Sequence, residues 1–324
     1  MKEFDLIGNY FAKGGFTRKD VVLGIGDDAA VTRVPAGQCL VTTTDTLVEG
    51  VHFLPGTEPD AIAHKAVAVN LSDLSAMGAE PAWISLSLSL PSIDEAWIKA
   101  FSDKLHSLSK YFSFQLIGGD TVQGPLSITI TAQGFIPDDN QIMRSGANPN
   151  DWIMVTGCLG DAGVGLDLLK NKIQIEHLEH ASYLKNRHWF PTPRVLAGTT
   201  LRRIATSCID ISDGLIQDLK QVISRSEIGA LVHLDKLPIS EAMGKNIENV
   251  VDAITYAATA GDDYELLFTV PEEQRVNIET ALASYNIPVT CIGQITGATG
   301  KLDLRLNEQP FQFDLDELGF EHFS

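Results

Sequence analysis

The chain has 324 residues, 44% of them hydrophobic and 20% charged, enough for a large core and for one big domain or, better, two. Its formal net charge of -18 repels nucleic acid and anionic membranes and sets both aside as partners. The 4 cysteines, Cys39, Cys158, Cys208 and Cys291, form no Cys-x-x-Cys pair and have no histidine at zinc-ligand spacing. Buried free thiols in a reducing cytosol are therefore expected, not disulfides or zinc. The N-terminus carries acids and no long apolar run, so no signal peptide is expected. The longest apolar stretch, residues 61–79, contains His64, Lys65, Asn70 and Asp73 and is no membrane span. A cytoplasmic location follows as the expectation.

In chain order, residues 3–12 read as a short helix and residues 39–45 as a strand ending in Thr44-Asp45. Residues 59–77 are apolar on nearly every face, the pattern of a buried helix, with Asn70 and Asp73 sharing one side. Residues 83–90 alternate strictly, with Ile84, Leu86, Leu88 and Leu90 on one face and Ser85, Ser87 and Ser89 on the other. A helix over 94–111 and strands at 114–118 and 126–135 follow. This order predicts a layered α/β domain, its mixed sheet covered by helices on one face. The small serine face suits a second sheet from another subunit. Turn-rich residues 137–150 place a boundary near 148, giving domains 1–148 and 149–324. The second domain reads as α/β: strands 151–156, 207–211, 229–234, 263–270 and 288–295 and helices 161–171, 213–225 and 272–284, with more helix between 178 and 205.

The chemistry lies in short acid clusters beside Gly, Ser or Thr: Gly26-Asp27-Asp28, Thr43-Thr44-Asp45, Ser72-Asp73, Gly119-Asp120, Asp210-Ile211-Ser212-Asp213 and Asp262-Asp263-Tyr264-Glu265. Placed at the ends of buried elements, such acids repel one another unless cations neutralise them. Hard oxygen ligands suit Mg²⁺, which is usually shared with substrate phosphates. The clusters fall in both halves, which suggests a site drawing on both domains.

Other motifs carry less. Gly24-Ile25-Gly26-Asp27-Asp28-Ala29 matches a dinucleotide fingerprint, but Thr32-Arg33-Val34-Pro35 stands where its helix should run. A glycine turn and metal ligation are its other readings. Gly157, Gly160, Gly163 and Gly165 offer backbone N–H groups to an anion or allow close strand–helix packing. Asp210 and Asp213 are three apart, the wrong spacing for an aspartyl-phosphate enzyme, and Ser212 or Asp210 suits an N-cap. His52 has no nucleophile motif beside it, and Arg144 is a solvated or phosphate-binding arginine. No residue stands out as a catalytic base or nucleophile.

In order, GIGDDAA, TTDTLVEGVHF, AVNLSDLSAMGAEP, LIGGDT, RSGA, IDISDGL and GDDYELLF resemble the thiamine-monophosphate kinase family across nearly the whole chain. More distantly they resemble aminoimidazole-ribonucleotide and selenophosphate synthetases. The resemblance implies transfer of the γ-phosphoryl group of ATP to thiamine monophosphate, assisted by several Mg²⁺ ions, in a homodimer joined through its N-terminal sheets. By the same resemblance Asp28, Thr43, Thr44, Asp45, Asp73, Asp120, Asp210 and Asp213 are metal positions. Gly119, Asp120, Arg144 and Ser212 contact the nucleotide, and His52, Asp262 and Phe320 face the thiamine phosphate. A phosphate acceptor is already anionic, its second pKa lying near ~6, so abundant Asp without a strong base fits this chemistry. The rivals are an ATP-dependent synthetase of the same fold and a non-catalytic divalent-cation-binding protein.

Overall fold

The computed structural model describes residues 3–313. Phe320 and the segment around it lie outside the described residues. The chain divides into two compact units. One comprises the described residues up to Leu74 with Ala79–Asp139, the other Ser75–Gly78 with the described residues from Asn140 on.

The first unit starts with α1 (Glu3–Leu6), running into a π-helical turn at Ile7–Phe11. Two short antiparallel strands follow, β1 (Val21–Leu23) and β2 (Val31–Thr32). The Gly24 to Ala30 stretch is therefore a hairpin loop with no helix after it, and the dinucleotide reading fails for that reason. Next come β3 (Gln38–Val48), α2 (Pro59–Ala76), β4 (Glu80–Leu90), α3 (Glu95–Phe112), β5 (Gln115–Gln123) and β6 (Ser127–Pro137). They form a four-stranded sheet of order β3-β6-β4-β5, parallel only between β4 and β5, in which β3 is an edge strand.

The two faces of this sheet differ as the alternation in β4 predicts. Ile84, Leu86, Leu88 and Leu90 are buried, and Ile128, Ile130 and Ala132 of β6 join them. The opposite face carries hydroxyls. Thr44 meets Thr131 and Thr46 meets Thr129 through their Oγ1 atoms at 2.9 Å, next to Ser85 and Ser87 across β4. Helix α2 is buried on nearly all sides, through Ala63, Val67, Leu71 and Leu74 among others, because its sequence offers no polar stripe. Helix α3 is amphipathic instead and buries Ile98, Phe101, Leu105 and Leu108. Asp94 caps it by accepting from the N–H groups of Ala96 and Trp97.

The second unit contains β7 (Trp152–Thr156), α4 (Asp161–Leu169), α5 (Leu178–Trp189), α6 (Val195–Leu201), β8 (Ser207–Asp210), α7 (Leu215–Ser226), β9 (Gly229–His233), α8 (Glu241–Asn246), α9 (Val250–Thr259), β10 (Leu266–Val270), α10 (Glu272–Ala283), β11 (Val289–Thr296), β12 (Leu302–Leu306) and β13 (Gln309–Pro310). Its mixed seven-stranded sheet has the order β13-β12-β9-β11-β7-β10-β8 and is parallel only between β9 and β12. Alternate side chains feed two cores. Ile153, Val155 and Leu267 pack with Leu219 and Val222 of α7 and Ala257 of α9. Met154, Leu266 and Phe268 pack with Leu201 of α6 and with Ile278 and Leu282 of α10. Helices thus cover both faces, the layered α/β arrangement expected of this half.

Burial of all four thiols is not what the structure shows: Cys208 is buried, Cys158 and Cys291 are half-buried, and Cys39 is exposed on the edge strand, where it donates to Asp138. All are free.

A buried ion-pair cluster lies just before β10. The Glu265 side chain is 0% exposed and is gripped by Arg187 and Arg194, themselves only 14% and 16% exposed. Thr156 Oγ1 adds a third donor at 2.6 Å. Removing one partner of such a buried pair strands the other charges and typically costs about 3–5 kcal/mol. Glu265→Gln is expected to lower stability by that amount in urea titrations. A loss under ~1 kcal/mol would show that water reaches the guanidinium groups.

Candidate active site

In the first unit the acids fall into two groups. Thr43 and Asp45 of β3 project to the face that carries α2. There Thr43 Oγ1 donates a short hydrogen bond to Asp73 Oδ2, and Asp45 feels the Asp73 charge. Burial, with Asp73 adding to it, pushes the Asp45 carboxyl up to about 6. Two carboxylates side by side in partly buried positions call for a cation. Thr44, next along the strand, turns its hydroxyl to the opposite face against Thr131. The structure thus brings Thr43, Asp45 and Asp73 together and sends the Thr44 side chain elsewhere.

The second group lines a cavity of about 580 Å³ between the Gly24 to Ala30 loop and β5, which holds Asp28, Gly119 and Asp120, with Ile7, Phe11 and Leu86 as apolar wall. Both acids are exposed here. Asp120 Oδ1 accepts from the Thr121 N–H at 2.9 Å, which leaves Oδ2 open. Gly119 has φ +154°, and a Cβ there would lie 1.8 Å from the Leu86 carbonyl oxygen, so only glycine fits. The register runs Asp45–Ile130–Leu86–Gly119 across the sheet. Three strand spacings, roughly 14 Å, therefore separate the two groups.

His52 follows the turn after β3. Its Nδ1 accepts from the Val48 N–H at 3.0 Å, an arrangement that puts the ring proton on Nε2 and makes Nε2–H a donor. Buried Lys65 of α2 donates to the His52 carbonyl at 3.2 Å and pins the turn.

In the second unit, Asp210 ends β8 and is 3% exposed. The loop to α7 is not capped by Ser212 or Asp210. Its cap position is Gly214, and Asp218 Oδ2 instead takes the N–H groups of Ser212 and Asp213, each at 3.1 Å. Asp218 is pushed up to about 7 by burial and by Asp213 beside it. No sequence feature singled out Asp218. It sits inside a helix, and only the fold turns it back onto the loop. Ser212 O accepts from the Asp262 N–H at 2.9 Å, which joins a nucleotide-facing candidate to an acceptor-facing one. Arg144 is exposed in its loop, and its carbonyl accepts from Ser226 Oγ at 3.3 Å.

The glycine run at 157–165 packs closely instead of cradling a ligand. A Cβ on Gly157 would strike Glu265, one on Gly165 the Leu184 carbonyl, and the Gly160 N–H already serves Asp263 at 2.8 Å.

Among the described residues, no group of three or more His, Cys, Asp or Glu side chains could hold a metal ion. Mg²⁺ does not ask for one. It usually keeps several waters and takes one or two carboxylates plus substrate phosphates. The hard oxygens of Asp45 and Asp73 beside Thr43 fit that demand, as does the open Oδ2 of Asp120.

Residues 26–136 match the AIR synthase related protein N-terminal domain family, and residues 148–304 match its C-terminal domain family. The thiamine-monophosphate kinase of Escherichia coli K12 is 48% identical over 322 residues, 99% of this chain and 98% of that protein. The crystal structure of a thiamine-monophosphate kinase from Stenotrophomonas maltophilia K279a superposes with TM-score 0.84 at 42% identity, covering 91% and 93% of the two chains. AaThiL complexed with AMPPCP and TMP superposes with TM-score 0.77 at 30% identity, covering 92% of each. This two-domain AIR-synthase-related chain belongs to the thiamine-monophosphate kinase family. No helix among the described residues is long and apolar enough to cross a membrane.

The like-charged pair sets a titration prediction. Because the folded-state pKa of Asp45 lies above the ordinary ~3.9, its neutral form favours the metal-free fold. That contribution is full below pH ~4 and is lost as pH rises through about 6. Asp73→Asn, or Mg²⁺ added to the wild type, should each bring the Asp45 carboxyl back toward the ordinary value, read from its carboxyl carbon by NMR. An unmoved titration in both cases would dismiss the pair as a cation site.

Proposed function

We propose that the chain transfers the γ-phosphoryl group of ATP to thiamine monophosphate, giving thiamine diphosphate and ADP. The observation that carries this reading is full-length membership of the kinase family together with the Thr43–Asp45–Asp73 cluster. Two polyanions must meet, and carboxylate-held Mg²⁺ ions neutralise both and stabilise charge on the moving group. Asp28, Thr43, Asp45, Asp73, Asp120, Asp210 and Asp213 are the proposed magnesium residues. Thr44 contributes through its backbone on β3, which it shares with Thr43 and Asp45.

Gly119, Asp120, Arg144 and Ser212 take the nucleotide. The fixed backbone of Gly119, the open Asp120 oxygen and the free fork of an exposed arginine suit phosphates. His52, its ring fixed by the Val48 N–H on Nδ1, is proposed to face the acceptor phosphate. Asp262 and Phe320 take the thiazolium end, an aromatic face attracting such a cation by about 0.5–2 kcal/mol. Transfer is direct and in line, with no base or nucleophile from the protein, because the acceptor oxygen is already ionised at neutral pH. The long unpaired edge of β3 and the hydroxyl-lined face beside it support a homodimer through the N-terminal sheets. A cytoplasmic site of action fits the free thiols.

ADP release coupled to thiamine monophosphate, at saturating Mg²⁺, tests the whole reading. Release that does not depend on the acceptor would point to a synthetase or an idle ATPase; no release at all would point to a cation-binding protein. Asp45→Asn and Asp213→Asn should each lower kcat/KM by more than about 100-fold while the fold survives, since metal charge stabilisation is worth several kcal/mol. Near-normal turnover in folded variants would refute the magnesium roles.

Incubation with γ-labelled ATP should leave no label covalently on the protein at any time during turnover. A trapped phosphoenzyme would overturn direct transfer.

A further inference from the structure

The loop Gly261 to Glu265 carries three acids in different circumstances. Asp263 is 1% exposed and accepts the Gly160 N–H, and Glu265 is sealed between Arg187 and Arg194. Asp262 alone keeps a partly exposed side chain, at 28%. Its two oxygens are backed separately. Oδ1 accepts from the Tyr264 hydroxyl at 3.0 Å, and Oδ2 lies 3.4 Å from Nδ1 of His188, a close approach that is not a hydrogen bond, with the His188 side chain 4% exposed.

The backbone beneath is held in an uncommon form. Asp262 has φ +68° and Tyr264 φ +51°, left-handed values that non-glycine residues adopt only when their surroundings enforce them. The enforcement is visible. The Asp262 N–H donates to Ser212 O, the Tyr264 N–H to Ile211 O, and the Ile211 N–H to Glu265 O, all within 2.8–2.9 Å. A Cβ on Gly261 would sit 2.2 Å from Ser212 O, so the two loops are in contact. Consecutive residues in the last turn of α5 complete the brace. Arg187 grips Glu265, and His188 faces Asp262.

We propose that His188 and Tyr264 are positioning residues that fix the Asp262 carboxylate in one orientation, exposed edge outward, to recognise the cationic ring of the acceptor. The proposal rests on the kinase reading above and deepens it. A carboxylate hydrogen-bonded by Tyr264 and backed by the buried His188 ring loses little freedom when a cation arrives, which is how pre-organisation strengthens binding. The cation concerned is an organic ring and not a metal: one carboxylate between a tyrosine and a histidine offers a single charged ligand, while a thiazolium needs only one facing negative charge. The charge it complements is absent from ATP, so the effect falls on the acceptor alone.

The test is steady-state kinetics on the full chain, varying thiamine monophosphate and ATP separately, with melting temperature measured alongside. His188→Leu should raise KM for thiamine monophosphate about tenfold, the lower range for loss of an orienting partner, with kcat and KM for ATP unchanged. His188→Asn, whose amide nitrogen falls where Nδ1 stands, should restore most of that loss. Tyr264→Phe should raise the same constant in the same direction and serves as the probe if His188→Leu does not fold. Asp262→Asn separates the two levels of the argument. If it leaves KM for thiamine monophosphate unchanged, Asp262 does not read the acceptor and the proposal falls with that assignment. If it raises KM while His188→Leu and Tyr264→Phe do not, Asp262 reads the acceptor and the positioning role is wrong. Combining His188→Leu with Asp262→Asn should add nothing to Asp262→Asn alone. Additive effects, or equal rises in both KM values with a lowered melting temperature, would show a merely structural histidine and overturn the proposal.

Discussion

Like charges crowded at the ends of buried elements are the constraint around which this protein is arranged. The second unit answers it internally around Glu265, Asp161 and Asp263, while Asp213 and Asp218 stay set against each other. Arg187 and Arg194 close on Glu265, Ser240 and Tyr183 hydrogen-bond Asp161, and the Gly160 N–H goes to Asp263. Even so, burial holds Asp263 well above the ordinary carboxylate range and raises Asp161. In the first unit burial raises the Asp45 pKa first, and the neighbouring Asp73 carboxylate adds to it. Acids satisfied by the protein stabilise a scaffold. Acids set against each other in a partly open place are poised to be satisfied from solution, and Mg²⁺ carrying phosphates is the partner whose chemistry fits.

Much of the scaffold was legible because periodicity reports burial directly. The Ile–Ser–Leu–Ser alternation of 83–90 predicted both the strand and its two unlike faces, and the all-round apolar character of 59–77 predicted the buried α2. What escaped had weaker local signals. Helix α9 opens with Val250 and Val251, β-branched residues that argue against helix. It forms because Asn249 caps it and because Ile254, Ala257 and Ala258 find the core. The two-residue β2 and the short β1 are below the length at which alternation can be read. The predicted side-chain cap on α7 was wrong because the actual anchor, Asp218, comes from inside the helix and only folding turns it back.

The site divides in the same way. Its acids announce themselves by their glycine, serine and threonine neighbours; Gly119 rests on the family resemblance alone, and only the structure shows the close Leu86 carbonyl that demands a glycine there. The alliances do not. Arg187 and Arg194 stand 78 and 71 positions from Glu265, and nothing in either stretch marks the pairing. The glycine run at 157–165 shows why local motifs mislead here. It has the look of an anion cradle, but its glycines serve close packing and the Gly160 N–H is taken by Asp263.

Phosphoryl transfer leaves little covalent chemistry to a protein and depends instead on holding groups within fractions of an ångström. The loop carrying Asp210 to Asp213 and the loop carrying Asp262 to Glu265 are hydrogen-bonded through their backbones at Ile211 and Ser212. Ser212, proposed to face the nucleotide, and Asp262, proposed to face the acceptor, are thereby tied together through their backbones. The buried ion pairs below these loops are costly to assemble and, by themselves, a poor source of stability. Their value is geometric. Left-handed backbone at Asp262 and Tyr264 would relax to a commoner form unless something beneath it were fixed, and the Arg187–Glu265–Arg194 clamp is that fixed point.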